Sequence, residues 1–347
     1  MGKTRLAVIG VGQIGKLHAE TLCRMNDLEF AAIADVDEKH RPMAQVMGVN
    51  FYPDYREMIK KEKLDGVVAA VPNELHLPVG AACAEKGLHL LVEKPIAGTL
   101  ADADALCAAA RKYGVHLLIG HHRRHNPSII ALREAVRGGA IGKLIGVTAI
   151  WALKKPDNYF TGPFAWRTVK GAGPILINVI HEIDNLRYVC GDITRIYAET
   201  SNGARKFEVA DSVGISLRME NDALATIFFS DCVPSPIGYE ANTGENLFFY
   251  HSQKTCYYYF GTEGTLTFPQ LHKTFYSDPA KAGWQYPLAE TGLKIDREDP
   301  YERQLRHFSR VIQGKELPIC SGEDARKTLQ VTLAIEQSGE TGKAVVF

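Results

Sequence analysis

The chain has 347 residues, which is enough for two domains of ordinary size. Its 40 basic and 40 acidic residues give a formal net charge of zero, which argues against nucleic acid or an anionic membrane as a partner. Residues 1–5 lead directly into a strand-like run, and no run of 18 apolar residues follows. The sequence therefore predicts a cytoplasmic protein without a membrane segment.

The first predicted unit is a strand, a glycine-rich turn and a helix. An apolar run at 6–9 precedes the glycines, and an amphipathic stretch after them continues to about residue 25. In this context Gly10 permits a tight turn, Gly12 lets the backbone approach a pyrophosphate, and Gly15 lets the helix pack closely on the strand. The residues expected to bind the phosphates of a dinucleotide are Gly10, Gly12, Gln13, Ile14 and Gly15.

A second strand-like run, at 30–34, ends at Asp35. A carboxylate about 20 residues after the last glycine is where such a fold binds the ribose 2′-hydroxyl of the cofactor. Asp35, together with Asp37 and Glu38, would repel a 2′-phosphate, so the sequence favours NAD over NADP. The alternative is that Asp35 or Asp37 only caps a helix.

The alternation of strands and helices continues to about residue 119. Strand-like runs at 66–71, 88–92 and 115–119 are separated by helical segments, which predicts a doubly wound parallel sheet. The glycine loop and the loops after the first two of these runs would then share the carboxyl edge of that sheet. In those two loops, the residues expected to contact the cofactor are Val71, Pro72, Asn73, His76, Glu93 and Lys94.

Lys94 is the candidate catalytic residue of this edge. It follows the buried run 88–92 and precedes Pro95, which restricts the lysine to extended backbone. Its side chain should therefore open onto the crevice where open α/β sheets bind ligands. Partial burial and a neighbouring nicotinamide ring would lower its pKa from ~10.4 toward a value useful for proton transfer. For so short a motif, the alternative is a solvated lysine at a strand end.

After about residue 124, strand-rich and helical segments no longer alternate. Strand-like runs lie at 145–151, 193–200, 211–219, 223–230, 255–260 and 264–268, with a short last strand at 344–347. Amphipathic helices are expected at 301–312 and 323–337, the second capped by Ser321. We expect a mixed or antiparallel sheet with helices on one face and another subunit on the other, giving a homodimer or homotetramer.

The segment 171–184 is a second candidate centre. Asn178, His181 and Asn185 recur at helical spacing and would share one helix face. His181 would bind a hydroxyl group of the substrate and accept or relay the proton of that hydroxyl. The alternative is a histidine whose polar atoms are satisfied within the core.

Basic residues in the same half form a third group. If Arg124, Lys154, Lys155 and Arg167 converge, the pocket would suit a carboxylate or uronate, so an acidic sugar should bind better than its neutral analogue. The alternative is solvated loop charge.

Neither the histidines nor the cysteines have the spacing of a metal site. The run His121-His122-Arg123-Arg124-His125 contains arginines that would repel a cation, and its spacing puts the rings on different faces. The seven cysteines are scattered without C-x-x-C spacing. We therefore expect no bound metal and reduced, mostly buried thiols.

The chain resembles the glucose-fructose oxidoreductase, inositol dehydrogenase and rhizopine-catabolism family (Gfo/Idh/MocA) over essentially its whole length. The motifs that carry the resemblance are Gly10-x-Gly12-x-x-Gly15 with His18, Asp35, Pro72-Asn73-x-x-His76, Glu93-Lys94-Pro95, Gly120-His121-His122-Arg123-Arg124 with Pro127, Trp166-Arg167, and His181-x-x-Asp184.

The resemblance implies a Rossmann domain that binds NAD, at 1–123, and an α+β domain with a large, mostly antiparallel sheet, at 124–347. It also implies that Arg124, Trp166 and Arg167 contribute to the cofactor site. In many members a carboxylate lies four residues before the histidine that matches His181. This chain has Ile177 there, so Asn178 is the nearest polar substitute and more of the acid–base work falls to Lys94 and His181.

The sequence thus predicts a dehydrogenase that transfers a hydride between NAD(H) and a secondary alcohol or ketone of a sugar, cyclitol or related polyol. Lys94 and His181 would be catalytic. The predicted substrate-binding residues are Lys94, Arg124, Lys154, Arg167, Asn178 and His181. One alternative is a tightly bound NAD that is recycled in transhydrogenation or glycoside cleavage, in which case the purified protein would carry a reducible cofactor. Another is a regulator that senses NAD or sugar without turnover, which could dispense with both catalytic residues.

Overall fold

The computed structural model describes residues 2–246 and 248–347, which form two compact units. The first unit ends at Asn126 and also contains Glu298–Leu329, whereas the second contains Pro127–Arg297 and Gln330–Phe347. The sequence predicted a single boundary between residues 123 and 124. The structure places that boundary three residues later and assigns a late segment of the chain to the first unit.

The first unit is built on a six-stranded parallel sheet. Its strands are β1 (Thr4–Ile9), β2 (Leu28–Ala34), β3 (Asn50–Tyr52), β4 (Gly66–Ala69), β5 (His89–Val92) and β6 (Leu117–Ile119). Its helices are α1 (Gln13–Arg24), α2 (Arg41–Val46), α3 (Tyr55–Lys61), α4 (His76–Glu85), α5 (Leu100–Tyr113) and, later in the chain, α9 (Pro300–Ile312). The strand order β3-β2-β1-β4-β5-β6 is that of a Rossmann fold, which confirms the predicted doubly wound sheet.

The core of this unit explains why a late helix belongs to it. Leu6 and Leu91, on the strands, are fully buried, and Leu305, Phe308 and Val311 of α9 belong to the same apolar cluster. Their spacing puts them on one face of α9. Strands of a parallel sheet are buried on both faces, and α9 contributes to the packing around them.

Side-chain caps begin at least three of the helices, and the sequence predicted the one at Ser321. Each cap oxygen accepts a hydrogen bond from a backbone N–H of the first turn, which satisfies a donor that the helix itself leaves unpaired. The pairs are Asp54 with the N–H of Arg56 (2.8 Å), Thr99 with that of Asp102 (3.1 Å) and Ser321 with that of Asp324 (3.2 Å).

The second unit is built on a ten-stranded sheet. Its strands are β7 (Leu144–Lys154), β8 (Ile193–Ser201), β9 (Ser212–Met219), β10 (Leu224–Ser230), β11 (Cys232–Ile237), β12 (Tyr257–Gly261), β13 (Gly264–Phe268), β14 (His272–Phe275), β15 (Ala289–Gly292) and β16 (Val345–Val346). Its helices are α6 (Pro127–Arg137), α7 (Ile180–Cys190), α8 (Tyr239–Thr243) and the end of α10 (Gly322–Thr341), which begins in the first unit.

The order of the large sheet is β15-β14-β13-β12-β7-β10-β9-β8-β16, with β11 beside β7. β7 and β10 are parallel and the other pairs are antiparallel. The predicted mostly antiparallel sheet is confirmed, and it has three more strands, β11, β14 and β15, than the seven runs that the sequence indicated.

The two faces of this sheet differ in exposure. Alternate residues such as Val213, Ile215 and Leu217 of β9 are buried. The opposite face carries Tyr197, Leu224, Phe228 and Phe260, which are 37–53% exposed, and the strand register places them on one side. We call these four residues the open sheet face.

The length and polarity of the helices bear on membrane insertion, and the cysteines bear on disulfide formation. None of the helices in the described ranges is long and apolar enough to cross a bilayer. All seven cysteines carry free thiols, and five are buried, as predicted.

Candidate active site

The loop between β1 and α1 has the geometry that its glycines predict. Gly10 has a φ of +82°, and a Cβ on it would lie 2.6 Å from a carbonyl oxygen of the loop after β4. A Cβ on Gly15 would overlap the carbonyl oxygen of Gly10, whereas one on Gly12 would meet nothing within 4 Å. Gln13 is exposed and Ile14 half-buried in the first turn of α1. Gly12 therefore leaves open space at a helix N-terminus, which favours phosphate.

Asp35 follows β2 directly, and the backbone fixes its carboxylate. Oδ2 accepts a hydrogen bond from the N–H of Val11 at 2.7 Å, and Oδ1 accepts one from the N–H of Asp37 at 2.8 Å. These bonds hold the carboxylate beside the glycine loop, and each oxygen keeps another lone pair for a ribose hydroxyl. The cap of the next helical turn is Asp37, which accepts from the N–H of Lys39, so capping does not account for Asp35.

The loop after β4 is tied to the loop after β5 by His76. The His76 ring is 1% exposed; its Nε2 lies 2.9 Å from the carbonyl oxygen of Val71 and its Nδ1 lies 2.8 Å from that of Pro95. Burial lowers the pKa of this ring. Both ring nitrogens face backbone carbonyl oxygens, so His76 positions the two loops, and its predicted contact with the cofactor stays a prediction. Pro72 is exposed and Asn73 half-buried in the same loop.

A buried histidine–glutamate pair lies beneath the end of β5. Oε1 of Glu93 accepts from Nε2 of His18, in α1, at 2.7 Å, and His18 is fully buried. Burial favours the neutral acid, but the hydrogen bond from His18 and the nearby positive charges outweigh it, so the pKa of Glu93 lies below its ordinary value. A Cβ on Gly120 would lie 2.7 Å from Oε1 of Glu93, so the carboxylate needs a glycine there.

Lys94 is half-buried at the carboxyl end of β5. Its backbone N–H donates to Oε2 of Glu93 at 3.1 Å, and its peptide bond to Pro95 is cis. Glu93 therefore fixes the backbone from which the lysine side chain starts. The glycine loop, Asp35 and Lys94 all follow strands at the carboxyl edge of one parallel sheet, and this arrangement fits a dinucleotide.

Arg124 has structural contacts within the first unit. It is buried, and its Nη1 donates to the carbonyl oxygen of Ile319 at 2.9 Å and pairs with the carboxylate of Asp324. Nearby, the ring of His122 stacks on Tyr301 with centroids 4.7 Å apart. The contacts of Arg124 anchor the segment before α10, whereas its predicted roles toward cofactor and substrate stay predictions.

In the second unit, Asn178 and His181 lie where a π-helical turn, Ile175–Val179, continues into α7. Asn178 belongs to the π-helical turn, and His181, 7% exposed, to the first turn of α7. The sequence predicted one face of a regular helix for Asn178, His181 and Asn185. The π-helical turn alters the regular spacing at Asn178, and the shared face stays a prediction. Asn185 is buried, and among the described residues its side-chain amide has no hydrogen-bond partner.

Lys155 is buried beside this turn, directly after β7. Its Nζ donates to Oδ1 of Asn178 at 2.7 Å and lies 3.3 Å from Oδ2 of Asp231. Nε of Arg205 donates to the other oxygen of Asp231 at 2.9 Å. Burial lowers the pKa of Lys155 to about 8, although Asp231 opposes the shift. Such a lysine can exchange a proton near neutral pH.

Arg167 approaches the same place from the segment Gly162–Thr168. Its guanidinium carbon lies 3.8 Å from the ring centroid of Tyr159, and its Nη1 donates to the Tyr159 carbonyl oxygen at 3.1 Å. Nζ of Lys155 lies 4.8 Å from the same ring centroid. Two of the predicted basic residues therefore converge on Tyr159, whereas Lys154 is exposed at the end of β7 and Trp166 is 51% exposed.

The sequence did not place Lys155 or His18 among the predicted substrate-binding or cofactor-binding residues. We assigned substrate binding to Lys154, but alternation along β7 puts residue 155 on the same side as the buried Trp151. This alternation of side chains could have identified Lys155 as the buried lysine. His18 was seen only as part of a motif, and no local pattern indicates its bond to Glu93, 75 residues away in sequence.

Comparison with known proteins identifies two matching family descriptions. Residues 4–121 match the "Oxidoreductase family, NAD-binding Rossmann fold" and residues 129–267 match the "GFO/IDH/MocA C-terminal domain". Myo-inositol 2-dehydrogenase of Thermotoga maritima is 27% identical over 98% of both chains. 1,5-Anhydro-D-fructose reductase of Ensifer adhaerens is 30% identical over 83% of this chain and 81% of its own. The crystal structure of a probable dehydrogenase from Thermotoga maritima superimposes with a TM-score of 0.77, at 26% identity over 99% of this chain and 98% of that one.

Proposed function

Because the chain belongs to the GFO/IDH/MocA family of oxidoreductases, we propose that it transfers a hydride between NAD(H) and a secondary alcohol or ketone of a sugar, cyclitol or related polyol. The observation that carries this proposal is the position of Lys94. It follows β5 above the buried Glu93, on the same sheet edge as the glycine loop and Asp35. A proton-accepting group placed where open α/β sheets bind ligands suits oxidation of an alcohol.

Each group has a definite task in this proposal. The glycine loop would hold the pyrophosphate of NAD and Asp35 its ribose, and the bound cofactor would supply the hydride acceptor for oxidation of the carbinol. The proton of the carbinol hydroxyl passes to the amine of Lys94 or to the imidazole of His181, and a ketone results. The group that accepts the proton supplies it again in the reverse direction.

The charge pattern in the second unit bears on the substrate. We predicted an acidic sugar because several basic residues were expected to converge. Lys155 is paired with Asp231, so its charge is compensated, and Arg167 is the residue that supports an acid preference. The proposal therefore covers neutral polyols as well as uronates.

A substrate panel tests the function. We expect reduction of NAD by at least one of several aldoses, inositols and uronates, and a lower kcat/KM with NADP because Asp35 would face its 2′-phosphate. Formation of NADH at 340 nm, measured for each compound with both cofactors, gives the two comparisons. If no compound reduces either cofactor, and the purified protein carries no cofactor that the panel can reduce, the proposed function is wrong.

We also propose that a second copy of the chain covers the open sheet face. Isolated apolar residues are normal on a surface, but four on one side of a continuous sheet form a patch of the kind that marks an interface. A second copy would bury it through symmetric contacts, which are the commonest in homo-oligomers.

Replacing Phe228 with lysine should therefore produce monomers, because the charge would have to be buried unpaired between two subunits. Light scattering during size-exclusion chromatography measures the mass. Val46→Lys is the control, since Val46 is an exposed apolar residue on α2 of the first unit. A wild-type protein that is already monomeric would refute the interface.

A further inference from the structure

The contact between Lys155 and Asn178 fixes which way the asparagine amide points. An ammonium can only donate hydrogen bonds, so the amide atom 2.7 Å from Nζ of Lys155 must be the oxygen. The amide nitrogen of Asn178, with its two N–H groups, is then directed away from Lys155. Asn178 is half-buried, and within the described ranges no group accepts a hydrogen bond from this nitrogen.

We propose that Asn178 determines substrate specificity by donating hydrogen bonds to an acceptor oxygen of the substrate, and that Lys155 is the positioning residue that keeps its amide in this orientation. The acceptor is a carbonyl oxygen of the oxidised substrate or a hydroxyl oxygen of the reduced one. Asn178 lies three residues before His181, so the donor belongs to the segment that carries the proposed acid–base histidine. This inference rests on the proposed function.

Lys155 is held firmly enough to impose that orientation. Its backbone N–H donates to the carbonyl oxygen of Asp231 at 2.8 Å, and its own carbonyl oxygen accepts from Nη2 of Arg205 at 2.9 Å. The carboxylate of Asp231 binds the ammonium from one side while Arg205 holds that carboxylate from the other. Backbone and side chain of Lys155 are therefore both fixed, and less entropy is lost when Asn178 binds a ligand.

The orientation should depend on the charge of Lys155. The charged and titratable groups around its ammonium are Asp231, Arg205, Arg167, Glu240 and Tyr159. Burial lowers the pKa of Lys155 from its ordinary value of 10.5 to about 8, and burial raises that of Tyr159. Below pH 8 the lysine is charged and donates a hydrogen bond to Asn178. Above pH 8 the neutral amine can also accept a hydrogen bond, so the side-chain amide of Asn178 is free to rotate by half a turn and exchange its oxygen and nitrogen.

Two substitutions distinguish an Asn178 that donates hydrogen bonds to the substrate from one that only accepts the hydrogen bond of the Lys155 ammonium. Asn178→Asp keeps an oxygen for the ammonium but has no N–H to offer, and Lys155→Met keeps the amide but removes the group that orients it. We expect Asn178→Asp to raise KM for the substrate about tenfold or more, the scale of one lost hydrogen bond. Lys155→Met should raise it less, and the double variant should show less than the product of the two effects. Lys143→Met, an exposed lysine before β7, is the matched control.

The pH profile provides a readout that a purely structural role would not change. In the wild type, KM should rise as the pH increases through about 8, and this rise should be absent in Lys155→Met. Affinity for NADH, followed by fluorescence, should be the same in all variants. Wild-type KM in Asn178→Asp, or an unchanged pH profile in Lys155→Met, would overturn the inference while leaving the proposed function intact.

A measurement without turnover keeps the two ideas distinguishable. In protein labelled with ¹⁵N-asparagine, the side-chain NH₂ signal of Asn178, assigned by its loss in Asn178→Ala, should shift with a midpoint near pH 8 in the wild type and not in Lys155→Met. D-Glucose, myo-inositol and D-glucuronate, added in turn, serve as ligand probes, and at least one should shift the same signal. If the panel shows no turnover but both shifts occur, the function is wrong and the binding site stands. Absence of either shift overturns the inference.

Discussion

Replacing Lys94 with alanine is expected to lower kcat by at least ~10²-fold while NADH still binds with nearly its wild-type affinity. Loss of a positioned acid–base group typically costs 10² to 10⁴ in rate. The glycine loop and Asp35, which are proposed to hold most of the cofactor, do not depend on this side chain. Lys94→Arg should be almost as slow, because a guanidinium keeps the charge but does not release its proton.

Steady-state rates with the best substrate of the panel, and NADH fluorescence titration, measure the two quantities. Lys86→Ala is the control, since Lys86 is an exposed lysine at the end of α4 in the same unit. A Lys94→Ala enzyme with full turnover would eliminate the proposed proton transfer, whereas a variant that loses NADH binding would make Lys94 a cofactor ligand first.

Gly15→Ala and Gly12→Ala should fail for different reasons, although both residues belong to one motif. A Cβ at Gly15 would overlap the carbonyl oxygen of Gly10, so the strand and helix must separate. Forced overpacking of this kind costs about 1–3 kcal/mol of stability. A Cβ at Gly12 meets no protein atom within 4 Å, so Gly12→Ala should fold normally and lose only the close approach of the pyrophosphate.

Thermal unfolding without ligand and NADH titration separate the two outcomes. We expect a lower melting temperature for Gly15→Ala and a wild-type one for Gly12→Ala, with NADH affinity weakened at least tenfold in both. A Gly12→Ala protein that binds NADH like the wild type would show that the open space at this helix end does not serve the dinucleotide.

The first unit could be predicted well because its signals are local. Each strand of a parallel sheet is a short apolar run, and the glycines at 10 and 15 have individual steric reasons that the structure bears out. The segment 298–329 could not be assigned in the same way. Its helix, α9, is amphipathic and was predicted, but which core it joins depends on contacts with residues far away in sequence.

The candidate site was predicted in outline and missed in detail. Strand ends located Lys94 and Asp35, but they do not reveal which side chain is buried. His76 was expected to contact the cofactor, and no local pattern indicated that its ring nitrogens contact two backbone carbonyl groups. Lys154 and Lys155 are neighbouring lysines after the same predicted strand, and they differ in the side of the strand on which they lie.

The buried pair of His18 and Glu93 also has a consequence for stability. Burying two ionisable groups usually stabilises a protein no more than a well-packed apolar pair of the same volume. The need for a glycine at position 120 adds a further constraint. Stability alone gives no reason for this arrangement, but Glu93 also holds the backbone N–H of Lys94. The pair therefore exchanges a firmer core for a fixed starting point of the Lys94 side chain.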